Sequence, residues 1–142
     1  MKSIVILLIG VITFTSCNLN SKKPNLIAQN QTQSTLEESI KRGHLIYNDM
    51  CITCHLPNGK GIPKVFPPLA DSDYLRDNQT ESIKAVKNGL SGKIIVNDTT
   101  YSSTMAPLGL SDQEVADVIN YINNSWGNKI DNFVTTEKVS EL

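Results

Sequence analysis

The pentapeptide Cys51-Ile52-Thr53-Cys54-His55 constrains this chain more than any other feature. Two cysteines three positions apart at a helix end hold their sulfurs within reach of one group, and the next residue is a potential ligand fixed to the same turn. A thioredoxin-like redox pair would need a surrounding βαβ pattern, which is absent. A zinc site would need four ligands. Only His44 and His55 are available as nitrogen donors, and His55 is chained directly to Cys54, so a tetrahedral cage would be strained. A plain disulfide would leave His55 without a purpose.

The remaining chemistry is covalent haem attachment. Cys51 and Cys54 are spaced to meet the two vinyl groups of one haem, and His55 then lies under the iron as proximal ligand. The other face of the iron needs a second ligand, and a thioether sulfur is usual in electron-transfer cytochromes. Met105 is the reasonable candidate. Met1 belongs to the leader, Met50 adjoins Cys51 on the attachment side, and Met105 lies in a loop stiffened by Pro107, fifty residues beyond His55. His44, on the polar side of its helix, is expected to face water.

The amino terminus reads as an address. Lys2 precedes an apolar run from Ile4 to Ile12, too short to span a hydrocarbon core. Thr13-Phe14-Thr15-Ser16-Cys17 follows and resembles a bacterial lipobox, with a small residue directly before the cysteine. Residues 1–17 are therefore expected to be a signal peptide, with Cys17 lipidated and tethered to a membrane outside the cytoplasm. That reading also accounts for the odd cysteine of three. Eleven of the eighteen residues 18–35 are Asn, Gln, Ser or Thr, the composition of a flexible linker. A formal net charge of -1 excludes a nucleic-acid footprint. The 142 residues allow one modest domain, and with only three Phe and one Trp its core would gain from a large apolar cofactor.

The domain is expected over residues 36–128, predominantly α, with three to four helices and long loops. Ser34 and Thr35 are each followed three residues later by a glutamate, which predicts a helix from about 36 to 50. Its apolar stripe would be Leu36, Ile40, Gly43, Tyr47 and Met50. Four prolines and two glycines make 56–73 a loop. A second helix starts at a Thr80 cap and ends near Gly89, and Lys93 to Val96 reads as a short extended piece before a turn at Asp98-Thr99-Thr100. Ser111 and Glu114 form a capping box for the last helix, with Val115, Val118, Ile119, Ile122 and Trp126 on one face until Gly127. The tail 129–142 has Val134 and Val139 as its anchors.

Residues 36–128 resemble a class I cytochrome c. Gly43, Tyr47 and Cys51, each four apart, match that family's first helix, and Val118 and Tyr121 match the last helix that crosses it. Pro67 and Leu69 match the proline whose carbonyl accepts from the haem histidine and the leucine that packs on the haem. Leu56 departs from the family by replacing a common glycine, and Ala106 by separating Met105 from Pro107. Segments 66–74, 88–92 and 124–128 resemble cytochrome domains attached to periplasmic copper nitrite reductases and quinoprotein dehydrogenases. The resemblance implies one covalent haem c held by Cys51, Cys54, His55 and Met105, with Tyr47, Pro67 and Leu69 around it. It implies a monomeric, non-catalytic, one-electron shuttle between a donor and an acceptor, such as a nitrite reductase, an oxidase or a dehydrogenase. The alternatives are an obligate cytochrome subunit of a dehydrogenase or reductase complex, and a haem enzyme or gas sensor with a labile sixth ligand.

Overall fold

A computed structural model describes residues 26–142, with side chains from Thr35 onward. The expected signal peptide, Cys17 and the first part of the linker lie outside the described residues. Six helices and one two-stranded sheet follow in the order α1 (Leu26–Met50), α2 (Ile52–His55), α3 (Asp73–Asp77), α4 (Gln79–Asn88), β1 (Ile94–Val96), β2 (Thr99–Tyr101), α5 (Asp112–Asn123) and α6 (Thr136–Ser140). Among the described residues no helix is long and apolar enough to cross a membrane.

The first helix corrects the sequence reading. It starts at Leu26, so Ser34 and Thr35 lie inside it and residues 26–35 are helix rather than flexible linker. Extending an existing helix adds one hydrogen bond per residue fixed and needs no new nucleus, and Leu26, Ala28, Gln29, Gln31 and Gln33 are good helix formers. Its buried line is Ser39, Gly43 and Tyr47. Leu36 and Ile40 are half-buried, and Met50 is exposed.

Among the described residues, helices α1 and α5 make the most extensive packing. Gly43 permits the crossing: a Cβ there would collide with the Asp117 carbonyl and stand 2.8 Å from Tyr121 Cβ. Buried polar groups lock the pair. Asp117 accepts from Ser39 Oγ at 2.6 Å, from Arg42 Nε and Nη2 at 2.7 and 2.8 Å, and from Gln113 Nε2 at 3.0 Å. The tail joins the same network. Asn120 donates to Ser39 Oγ and to the Val134 carbonyl, and its Oδ1 accepts from the Val134 amide. Val134 and Val139 are fully buried, so residues 129–142 pack as part of the domain.

The capping box forms as the sequence predicts, with Ser111 and Glu114 bonded reciprocally. Helix α5, however, ends at Asn123, and Trp126 stands beyond it in a left-handed turn with φ 51°. Helix α4 starts two residues earlier than expected, with Asn78 rather than Thr80 at its N-cap position. Asn78 also ends α3, a short helix to which the sequence reading gave no element. The short extended piece expected over Lys93 to Val96 forms as β1, but its pairing with a second strand in a hairpin was not expected. β1 and β2 pair antiparallel with Val96 opposite Thr99, so the turn is Asn97-Asp98 and Thr99 and Thr100 belong to the strand. Both turn residues have positive φ, 48° and 58°, which suits a two-residue hairpin connection. Asn97 stitches this turn to α3: its amide donates to Asp73 Oδ1, and its Oδ1 accepts from the Asp73 amide.

Candidate functional site

Helix α1 ends by placing Cys51 one turn after Tyr47, with the Cys51 amide donating to the Tyr47 carbonyl at 2.9 Å. The single turn of α2 carries Cys54 and His55. Both cysteines are unpaired in the protein. Burial, aided by Cys54, pushes the Cys51 thiol up to about 11. A thiol held protonated in this way lacks the thiolate character of an activated redox cysteine.

His55 is aimed by the loop that follows it. Its Nδ1 lies 3.0 Å from the Pro67 carbonyl. A carbonyl only accepts, so Nδ1 carries the proton and Nε2 keeps its lone pair. Burial holds the imidazole below its ordinary pKa, partly opposed by the Pro67 bond. With Nδ1 protonated and the charged form disfavoured by burial, Nε2 is the atom left to bind a metal. Main-chain bonds position Pro67: Ile62 and Phe66 exchange amide-to-carbonyl bonds at 2.9 and 2.8 Å, and the Leu69 and Ala70 amides both donate to Gly59.

Two adjoining cavities open beside this loop, holding about 640 and 460 Å³ of space between their walls, part of it open to solvent. His55, Pro67, Leu90, Ile94 and Met105 line both. Cys51, Leu69, Leu75, Val86, Val118, Ile119 and Ile122 wall the inner cavity, and Cys54, Phe66, Tyr101, Ser103 and Thr104 wall the outer one. The lining is almost wholly apolar, with few polar groups, the character of a cleft that takes an organic cofactor. Among the described residues no cluster of three or more His, Cys, Asp or Glu could hold a bare metal ion. Two thiols, one imidazole and one thioether around an apolar cleft are donors of the kind that a covalently held haem takes.

Met105 reaches the cleft on a loop tied by main-chain atoms. Its amide and carbonyl exchange bonds with Leu90, both 2.8 Å. Gly89 makes this possible: with φ 80°, any Cβ there would stand 2.6 Å from the Met105 carbonyl and 2.9 Å from Pro107. Tyr47, by contrast, does not line the cleft. It is fully buried against Tyr121 and Trp126, with ring centroids at 5.4 and 5.0 Å, and its hydroxyl donates to the Leu56 carbonyl at 2.6 Å. It therefore supports the attachment turn from behind. His44 is exposed beside Asn48 and the Tyr121 ring. Sequence reasoning also missed what closes the loop from the far side. Trp126 Nε1 donates to the Pro57 carbonyl, and Asn128 Nδ2 donates to Leu69 and Ile122 carbonyls while its Oδ1 accepts from the Asp71 amide. Their one signal was the segment 124–128, set apart only by resemblance.

The family model for cytochrome c matches residues 40–126. The chain belongs to the cytochrome c family. The fold is that of a class I cytochrome c, mostly helical with one small hairpin, and membership implies a covalently bound haem c and electron transfer as its use. Cytochrome c-552 of Thermus thermophilus is 37% identical over 101 residues, covering 65% of this chain and 77% of that protein. The cytochrome c subunit of alcohol dehydrogenase (quinone) of Gluconacetobacter polyoxogenes is 32% identical over 122 residues, 83% of this chain. The cytochrome c subunit of gluconate 2-dehydrogenase of Pantoea cypripedii is 34% identical over 106 residues. The chain spans only 24% and 23% of the length of these two subunits.

Proposed function

We propose that this cytochrome is a one-electron carrier whose haem c is bonded through Cys51 and Cys54 and ligated by His55 Nε2 and Met105 Sδ. The observation that carries the reading is the convergence of His55 and Met105 on the same two apolar cavities at whose edges the cysteines stand. The haem supplies an iron that gains and loses one electron. The protein's part is to keep the His55 ring neutral and aimed through Pro67, to pack Leu69 in the cleft wall, and to hold the Met105 loop closed through Leu90. A thioether and an imidazole retained in both oxidation states leave little to reorganise on electron arrival. The chain itself then has no substrate to transform.

The leader and Cys17 support export and lipid anchoring outside the cytoplasm, with residues 18–25 as the remaining linker before α1. Residues 18–142 carry 12 Lys and Arg against 14 Asp and Glu, which favours transient, weakly salt-dependent partner contact by a monomer. The names of the dehydrogenase subunits among the relatives support a second reading, an obligate subunit of a dehydrogenase complex. A monomer that separates cleanly in high salt argues for the carrier.

The carrier reading predicts that the ferrous protein binds no carbon monoxide at neutral pH, because Met105 fills the sixth position, whereas Met105→Ala binds it readily. Absorption spectra under carbon monoxide decide the matter. Rapid binding by the native protein overturns the reading and points to a gas-binding or catalytic haem.

A further inference from the structure

Two Asn-Gly pairs occur in the domain, Asn58-Gly59 and Asn88-Gly89. Asparagine is a chemically labile residue, and most so before glycine, where no side chain shields the next amide nitrogen. The fold closes one pair and leaves the other open. Asn58 is held in a tight turn: its Oδ1 accepts from the Lys60 amide at 3.1 Å, and the Gly59 amide donates to the Leu56 carbonyl at 3.1 Å. Gly59 is buried, with the Trp126 ring so near that a Cβ would stand 2.5 Å from it. Asn88, by contrast, is the exposed last residue of α4, and its side chain bonds to no other group among the described residues. The residues that follow α2 and α3 donate back into their helices, and the Gly89 amide makes no such bond. Helix ends fray, so Asn88 can swing its carboxamide over the Gly89 nitrogen without disturbing the core.

We infer that Asn88 is a self-modification site whose product releases Met105. The Gly89 nitrogen attacks Asn88 Cγ. A new C–N bond forms, the bond to the side-chain nitrogen breaks, and ammonia leaves with the Gly89 amide proton, so a five-membered imide remains. Water opens that ring at either carbonyl, giving aspartate or a β-linked aspartate, and no electron changes hands. The β-linked product carries one extra methylene in the main chain directly before Gly89. Gly89 is fitted too closely to absorb it, since even a Cβ there would stand 2.6 Å from the Met105 carbonyl and 2.9 Å from Pro107. The next residue, Leu90, holds both main-chain partners of Met105 at 2.8 Å. The new carboxylate also lies at the negative end of α4. Lengthening the chain at this point parts the clasp. The modification stands by itself, while the release of Met105 rests on the haem reading above.

The test ages haem-loaded native protein, Asn88→Gln and Asn58→Gln at mildly alkaline pH, which speeds loss of the Gly89 amide proton, and reads every sample after return to neutral pH. Peptide mass spectra with isoaspartyl methyltransferase labelling locate the modified residue. Absorption spectra follow the methionine-to-iron band and the binding of carbon monoxide. In the native protein the label should gather in the peptide that holds Asn88, the band should fall in step with it, and carbon monoxide binding should rise. Asn88→Gln should lose all three changes, and Asn58→Gln should age as the native protein does. Freshly prepared Asn88→Asp, which brings the charge without the extra methylene, should keep its band. Label confined to Asn58, or none at Asn88, overturns the site. A band at full strength while β-linked aspartate accumulates at position 88, or a band lost in fresh Asn88→Asp, overturns the release of Met105. Native protein without the band before ageing overturns the earlier haem reading, and the label alone then judges the modification.

Discussion

Leu56 adopts φ 64° and ψ 160°, a region of backbone space open to glycine and costly to any residue with a Cβ. It stands directly after His55, where the family commonly has glycine. Relief of strain on the order of 1–3 kcal/mol exceeds the entropy lost with glycine, roughly 0.5–1 kcal/mol. Leu56→Gly is therefore predicted to stabilise the haem-loaded protein by about 1 kcal/mol, measured by denaturant unfolding. The departure from pattern was legible, but the angle was not, because a side chain's identity does not state which φ its neighbours impose. Cys51, Cys54 and His55 were legible because their chemistry depends on spacing along the chain. Pro67 was legible only by resemblance. Tyr47 was placed at the haem because its spacing from Cys51 is right, yet its ring turns to Tyr121 and Trp126 and its hydroxyl to Leu56.

Among the elements, the crossing of α1 and α5 is the most exposed to test. Gly43→Ala gains about 1 kcal/mol of helix propensity. The new methyl, however, meets the Asp117 carbonyl and Tyr121 Cβ, and neither is the free end of a flexible side chain. Overpacking against such atoms typically costs about 1–3 kcal/mol, so a net loss of up to about 2 kcal/mol is expected, measured by denaturant unfolding. At the start of α5, bonds from the Ser111 amide and hydroxyl hold Glu114 below the ordinary carboxylate value of 4.5. A depressed carboxylate contributes stability above that value and loses it as the pH falls through its own lower pKa. Thermal midpoints of native protein and Glu114→Gln should therefore differ above about pH 4.5 and converge below it. This capping box was readable because it is a local signal of four residues. The hairpin was not, since Asn97-Asp98 lacks the glycine that marks such turns. The start of α1 was missed because polar composition says little about where an established helix stops propagating.

At the scale of the molecule, residues 129–142 lie beyond the stretch matched by the family and yet complete its core. Val134 and Val139 are buried, Asn120 bonds both main-chain atoms of Val134, and Lys87 reaches the Val139 carbonyl and Asp112. Burying one valine stabilises by about 1.5–3 kcal/mol. Ending the chain at Asn128 should thus cost roughly 3 kcal/mol or more, read as a lower denaturant midpoint with the haem spectrum retained. The two valines were visible in sequence; that Asn120 would receive one of them was not, because the pairing spans fourteen residues and two elements. The clasp between Leu90 and Met105 bears on inheritance. Because it is made of main-chain atoms behind a glycine, Ser102, Ser103, Thr104 and Ala106 can drift in identity while the methionine stays in place. What descends through such a loop is a path, and the lettering along it is free to change.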